Sequence, residues 1–231
     1  MRKLEDVPAK VWESIKRLGV EGNEDDEVFQ GIIRKIETSD RVVAIVKKKG
    51  IADVCFLQET KCKSMKDVMV KSFWGDEDCL WSVSDSSGQS GGILTIWRAV
   101  FLTPLFSFRG SGFLGLSVIW RGKKCLFLNV YSSCVLSEKC KMWAEILDLK
   151  SKFFFGEWVV GGDFNSTKCK EEKRGKGGHS RLEIEEFKSF IELLGCDDLP
   201  IKGNSFTWFN GSGSCCSRLD RLLISPGLIS E

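Results

Sequence analysis

A short apolar run, Trp158-Val159-Val160, leads straight into Gly161-Gly162-Asp163-Phe164-Asn165. No other feature restricts the fold as much. The run reads as a buried strand that ends in a carboxylate and an amide. Side chains alternate along a strand, so Asp163 and Asn165 leave the same face. Their oxygens suit a hard cation such as Mg²⁺ and can hold a water in place. The glycines before them let a bulky phosphate approach the backbone. A plain Asp/Asn turn closing a strand has the same appearance, so the string gains meaning only from the segments around it.

A length of 231 residues fits one large α/β domain, and 42% hydrophobic content with 16 Phe and 8 Trp can fill a sizeable core. No apolar run approaches the roughly 20 residues of a membrane span. The opening Met1-Arg2-Lys3-Leu4-Glu5-Asp6 has no apolar stretch, which argues against secretion. The expectation is an intracellular chain, nuclear or cytoplasmic, with no membrane association. Ten cysteines are scattered, many inside apolar runs (Cys55, Cys79, Cys125), and no C-x-x-C pair occurs. With a single histidine, that pattern argues against zinc and for buried, reduced thiols.

The net charge is +2, from 34 basic and 32 acidic residues, so the bulk charge carries no nucleic-acid footprint. Basic residues nevertheless gather beside two carboxylate-bearing segments: Lys61, Lys63 and Lys66 after Glu59, and Lys168, Lys170, Lys173, Arg174 and Lys176 after Asp163. A solvated loop accounts for them; so does phosphate contact, with Lys61, Lys63 and Arg174 as the candidates.

Residues 1–37 differ from the rest. They are charged, with an acidic run Glu21-Gly22-Asn23-Glu24-Asp25-Asp26-Glu27, and read as a partly disordered segment that includes a short helix at Val11–Leu18. Residues 38–231 form the domain. Val42, Val43, Ile45 and Val46 suit one helical face. Strands are expected at Ala52–Leu57, Cys79–Val83, Ile93–Trp97, Phe113–Trp120 and Cys125–Tyr131, the last two joined as a hairpin through a Gly-containing turn. Ser137–Phe153 reads as an amphipathic helix with Met142, Ile146 and Leu149 on one stripe. Ser180 and Glu183 make a capping box for a second helix, faced by Ile184, Phe187, Ile191 and Leu194. Many strands with few, separated helices argue for two packed sheets with helices outside.

In chain order lie Gln58-Glu59-Thr60-Lys61, Ser90-Gly91-Gly92-Ile93, Asn129-Val130-Tyr131, the Gly161–Asn165 string, Phe206-Thr207-Trp208 and Ser217-Arg218-Leu219-Asp220-Arg221. This series, spanning about residues 40–225, resembles the endonuclease/exonuclease/phosphatase superfamily. Within it, the series is most similar to the endonuclease domain of plant-type LINE (non-LTR) retrotransposons. The resemblance implies an α+β fold, a four-layer α/β sandwich of two packed mixed β-sheets flanked by helices. It implies a hydrolase that cuts phosphodiester bonds of DNA with Mg²⁺ (or Mn²⁺), no organic cofactor, and an origin beside a reverse transcriptase. It assigns Glu59 as metal ligand and Asp163 as the group that orients and deprotonates the attacking water. Asn165 would hold a phosphate oxygen or that water, Tyr131 would donate its phenol to the phosphate, and Asp220 would orient a catalytic histidine. Trp208 and Phe206 would pack beneath the site, base stacking being the alternative.

Two parts of the resemblance are absent. The expected Asn near the first strand has no counterpart in residues 20–40 beyond Asn23, and no Asp-His pair follows Asp220. The only histidine, His179, precedes it and reads as a loop residue. Asp220 then falls to a structural ion pair with Arg218 and Arg221. The expectation is a truncated domain lacking its first and last strands, weakly active or inactive. Two other readings remain open: a catalytically silent nucleic-acid-binding or interaction module, and a phosphatase of the same superfamily.

Overall fold

The computed structural model describes residues 53–62, 64–74, 78–86, 91–152, 155–175, 181–200 and 205–229. The expectations for residues 1–52, including the segment to residue 37, the Val11–Leu18 helix and the Val42–Val46 face, lie outside the described residues, as do Lys63, Lys176, His179 and Ser180. In chain order the first elements are β1 (Val54–Gln58), α1 (Asp67–Trp74), β2 (Cys79–Ser84), β3 (Ile93–Arg98), β4 (Thr103–Gly110), β5 (Phe113–Trp120) and β6 (Lys123–Tyr131). Next come α2 (Leu136–Lys152), β7 (Glu157–Asp163), β8 (Lys173–Arg174), α3 (Arg181–Leu194) and β9 (Asp197–Asp198). Last are β10 (Trp208–Phe209), β11 (Cys216–Ser217), β12 (Asp220–Ile224) and α4 (Pro226–Ile229).

Period-two alternation sorts the strand residues into layers. Val54 and Phe56 of β1 face inward; Cys55 and Leu57 face out. On β6, Cys125 and Phe127 face one way, Leu126, Leu128 and Val130 the other. The first set meets Trp97, Leu116, Val118 and Val159 between two sheets. One sheet has the order β1-β3-β2, the other β4-β5-β6-β7-β12-β9. On the outside of the smaller sheet, Cys55, Leu57, Leu94 and Ile96 pack on Val70 and Trp74 of α1. On the outside of the larger, Leu126, Leu128, Val130, Trp158 and Val160 pack on α2 and α3. Helix, sheet, sheet, helix is the four-layer sandwich that the resemblance implied. Each fully buried Phe or Leu contributes about 1.5–3 kcal/mol to holding the layers together.

All strand neighbours in the larger sheet are antiparallel except β6 and β7. A parallel pair needs a crossover connection, and α2 supplies it. Its buried residues Lys139, Met142, Trp143 and Ile146 recur at helical spacing. On α3 the buried set is Glu183, Phe187, Phe190, Ile191 and Leu194. Phe190 thus joins the expected face, while Ile184 is only half-buried. The β5–β6 hairpin turns through Arg121 (φ 49°) and Gly122 (φ 75°), the two positive angles that a two-residue primed turn demands.

β4 was not expected as a strand. It opens Thr103-Pro104, is largely exposed, and its register with β5 slips between Pro104 and Phe106. Such features suit only a sheet edge. A third, small sheet of order β10-β11-β8 also escaped the sequence, since strands of two residues carry no periodicity. All ten cysteines are free thiols; Cys55, Cys79, Cys125, Cys196 and Cys216 are buried. Among the described residues no helix is long and apolar enough to cross a membrane.

Candidate active site

The motifs meet at one end of the sandwich. Strand register puts Tyr131 of β6 beside Asp163 of β7, and Asp163 beside Asp220 of β12. The three side chains therefore sit at one level across adjacent strands. β1 lies across β6 and β7 from the other sheet, and just beyond its end comes Glu59. The Tyr131 hydroxyl donates to Glu59 Oε1, bridging the two sheets. Four of the expected site residues are thus gathered from segments far apart in the chain.

What aims Glu59 is a buried polar clamp behind it. Gln58 Nε2 donates to Asn129 Oδ1 at 2.5 Å, and Asn129 Nδ2 donates to Leu94 O at 3.0 Å and to Thr95 Oγ1 at 3.2 Å. Gln58 and Asn129 are both buried, and buried amides without partners would cost stability. The chain after β1 is then tied down by Thr60 N–H to Gly92 O (3.2 Å) and Lys61 N–H to Gly91 O (3.0 Å). That bonding explains the Gly91-Gly92 motif. Glu59 (φ 53°), Lys61 (φ 53°) and Asn165 (φ 50°) all hold the left-handed conformation that residues with a Cβ adopt at a cost.

Asp163 is fully buried. Its Oδ1 accepts the Asn165 backbone N–H at 2.8 Å, and its carbonyl accepts Ser132 N–H at 2.8 Å. Asn165 Nδ2 donates to Ser132 O at 2.7 Å. The turn after β7 and the loop after β6 are thereby stitched together. Phe164, between the two polar residues, is buried against Phe187 at a ring separation of 5.5 Å. The glycines before Asp163 serve packing against the neighbouring strands and the facing sheet. Gly162 has φ 130°, and a Cβ on it would stand 2.1 Å from Val130 O of the neighbouring strand.

Asp220 is buried, and its N–H and that of Leu219 both donate to Thr207 Oγ1 at 3.0 Å. Thr207 is therefore the part of the Phe206-Thr207-Trp208 motif that meets the Asp220 backbone. Phe206, shortly before β10, and Trp208, within it, are half-buried outside the main core clusters, with Arg174 stacked 5.1 Å over the Phe206 ring. The expected Arg218–Asp220–Arg221 ion pairing needs correcting. Arg218 and Arg221 reach Glu172 and Asp198 instead: Arg218 to Asp198 at 2.7 Å, Arg221 to Asp198 at 2.7 Å, and Arg221 to Glu172 more closely still. Lys168 joins the same cluster through Asp198 at 3.1 Å. Lys61, two residues after Glu59, is half-buried, and Arg174 is exposed.

Sequence reasoning missed Lys139 and Glu183, which form a buried ion pair under the Asn165 turn. A lysine in an amphipathic helix reads as solvated, and Glu183 reads as a cap residue. Only their place on the apolar stripe, Lys139 three positions before Met142 and Glu183 four before Phe187, could have signalled them.

Among the described residues no three of His, Cys, Asp and Glu close on a single point as a ready-made metal cage. The acceptor atoms that do gather are oxygens. That set fits a Mg²⁺ or Mn²⁺ ion held by one carboxylate and several waters, and not a soft metal.

No curated protein matches the chain. Solved structures share its fold at low identity. A Leishmania major AP endonuclease superposes with TM-score 0.60 at 14% identity, covering 87% of this chain and 77% of that one. A Neisseria 3′ phosphatase bound to product DNA hairpin gives 0.58 at 18%, covering 79% of each. The endonuclease domain of TRAS1, a telomere-specific non-LTR retrotransposon, gives 0.55 at 15%, covering 77% and 74%. With residues 33–230 matching its family pattern, the chain belongs to the Endonuclease/Exonuclease/phosphatase family.

Proposed function

We propose that this chain is a Mg²⁺-dependent phosphodiester-hydrolysing domain of DNA endonuclease type and retrotransposon origin, with weak turnover. One observation carries the reading: the Tyr131 phenol donates to Glu59 while Tyr131, Asp163 and Asp220 stand in register on adjacent strands. Glu59, half-buried at the end of β1, would hold the ion, which supplies charge to stabilise the transition state and polarise the phosphate. Asp163, whose Oδ1 is fixed by the Asn165 N–H, orients and deprotonates the attacking water. Asn165 keeps a second amide N–H beyond the one given to Ser132 O, enough to meet a phosphate oxygen or that water. The Tyr131 hydroxyl, through its bond to Glu59, orients that carboxylate. DNA as substrate draws support from the Neisseria phosphatase and TRAS1 likenesses. Among the alternatives, a phosphatase draws on the former.

The test is nicking of supercoiled plasmid at high protein concentration. Slow nicking is expected in Mg²⁺, stopped by EDTA and by Glu59→Ala or Asp163→Ala. Nicking that survives both substitutions sinks the proposal. A second reading, a silent nucleic-acid-binding module, is favoured by exposed Arg174 stacked on Phe206. No nicking, together with DNA affinity that falls steeply with salt, would select it.

A further inference from the structure

The turn after β7 contains a strained residue, so its surroundings must enforce the conformation. Asn165 has φ 50°, which non-glycine residues keep only where neighbours over-determine it. Lys139, on α2, meets its carbonyl. The Nζ group donates to Asn165 O at 2.5 Å and to Ser166 Oγ at 3.1 Å, and it pairs with Glu183 Oε1 from α3. Ser166 Oγ donates in turn to that same Glu183 oxygen at 3.0 Å. An ammonium has three N–H bonds, and these contacts account for all of them. Lys139 is only 2% exposed. It has neither a donor nor a path with which to meet a ligand. For stability alone, a buried ion pair can be replaced by apolar side chains of similar volume with little loss. Apolar side chains cannot bond the Asn165 carbonyl.

We propose that Lys139, oriented by Glu183, is a positioning residue that fixes the Asp163–Asn165 turn from beneath. The linkage is short. Lys139 holds the peptide carbonyl of Asn165, the Asn165 N–H holds Asp163 Oδ1 at 2.8 Å, and Asn165 Nδ2 holds the loop after Tyr131 through Ser132 O at 2.7 Å. Tilting that peptide moves the carboxylate and loosens the loop carrying the phenol. The catalytic consequence rests on the function proposed above; the hold on the turn does not.

The experiment uses the full chain carrying both Lys139→Met and Glu183→Met, which remove the charges and keep the volume. Thermal melting first establishes that the pair of substitutions folds. Amide hydrogen exchange over residues 163–167 is then measured, with kcat and KM for plasmid nicking in Mg²⁺. We expect near-normal melting, exchange in the turn at least about tenfold faster, and kcat lower by about 10–100-fold at constant KM, since a displacement near 1 Å costs on this order. If the double variant does not fold, Glu183→Gln, which removes the charge orienting the ammonium and keeps the shape, is read the same way. Unchanged exchange in a folded variant overturns the proposal, and so does faster exchange with unchanged kcat. Absence of nicking by the unsubstituted chain overturns the function reading alone, and the exchange result then decides the hold on the turn.

Discussion

Tyr131 is the only tyrosine in the chain, and its hydroxyl joins Glu59 to the larger sheet. A hydrogen bond to a charged group is worth about 1.5–3 kcal/mol, and this one fixes where the carboxylate points. Tyr131→Phe keeps the ring and deletes only the oxygen. We expect it to fold normally by circular dichroism and to lower nicking by about 10–100-fold. An apparent Mg²⁺ requirement shifted to higher concentration should accompany the loss, read from a metal titration of the nicking rate. Undiminished nicking at every metal concentration would remove Tyr131 from the site.

At the scale of elements, the cluster of Arg218, Arg221, Glu172 and Asp198 pins β12 to the segment before β8 and to β9. Arg221 is wholly buried in its side chain and also stacks 5.2 Å over Phe187 of α3. Removing one partner of such a pair strands the others, typically at about 3–5 kcal/mol. Arg221→Met should therefore lower the unfolding free energy measured in urea by that much, while Arg181→Met, at an exposed i,i+4 pair with Glu185, should leave it unmoved. The sequence made β5 and β6 legible because a continuous apolar run bounded by a turn is a local signal. It made Glu59, Asp163 and Tyr131 legible because each closes such a strand. It could not disclose this cluster, whose members Glu172 and Arg221 stand 49 positions apart, nor strands of two residues, nor α1, whose eight residues hold two apolar turns at most. The packing role of Gly162 stayed hidden for a related reason: its contact with Val130 O depends on which strand lies alongside, and no local pattern states that.

For the molecule as a whole, burial of thiols sets an alkaline limit. Burial pushes the Cys55 thiol up to about 12 from an ordinary value of 9.0, and burial likewise raises Cys125, Cys140, Cys169 and Cys196. The unfolded chain ionises these groups from about pH 9 upward while the folded chain keeps them neutral. Their contribution is thus complete below pH 9 and is lost as pH rises toward 12. The melting temperature should decline progressively above pH 9, and Cys55→Ala should flatten the slope relative to its own value at pH 8. An unaltered slope would show that this thiol stays out of the balance.

The outer margin of β4 leaves a row of peptide groups facing water, and Leu105 and Phe106 are about half exposed beside it. Pro104 offers no amide hydrogen there, and the slipped register at Leu105 breaks the spacing of those that remain. A neighbouring molecule trying to lay a strand along this margin would run out of rungs after one or two. Crowded copies of the protein should therefore cling loosely and come apart on dilution, instead of zipping into fibres.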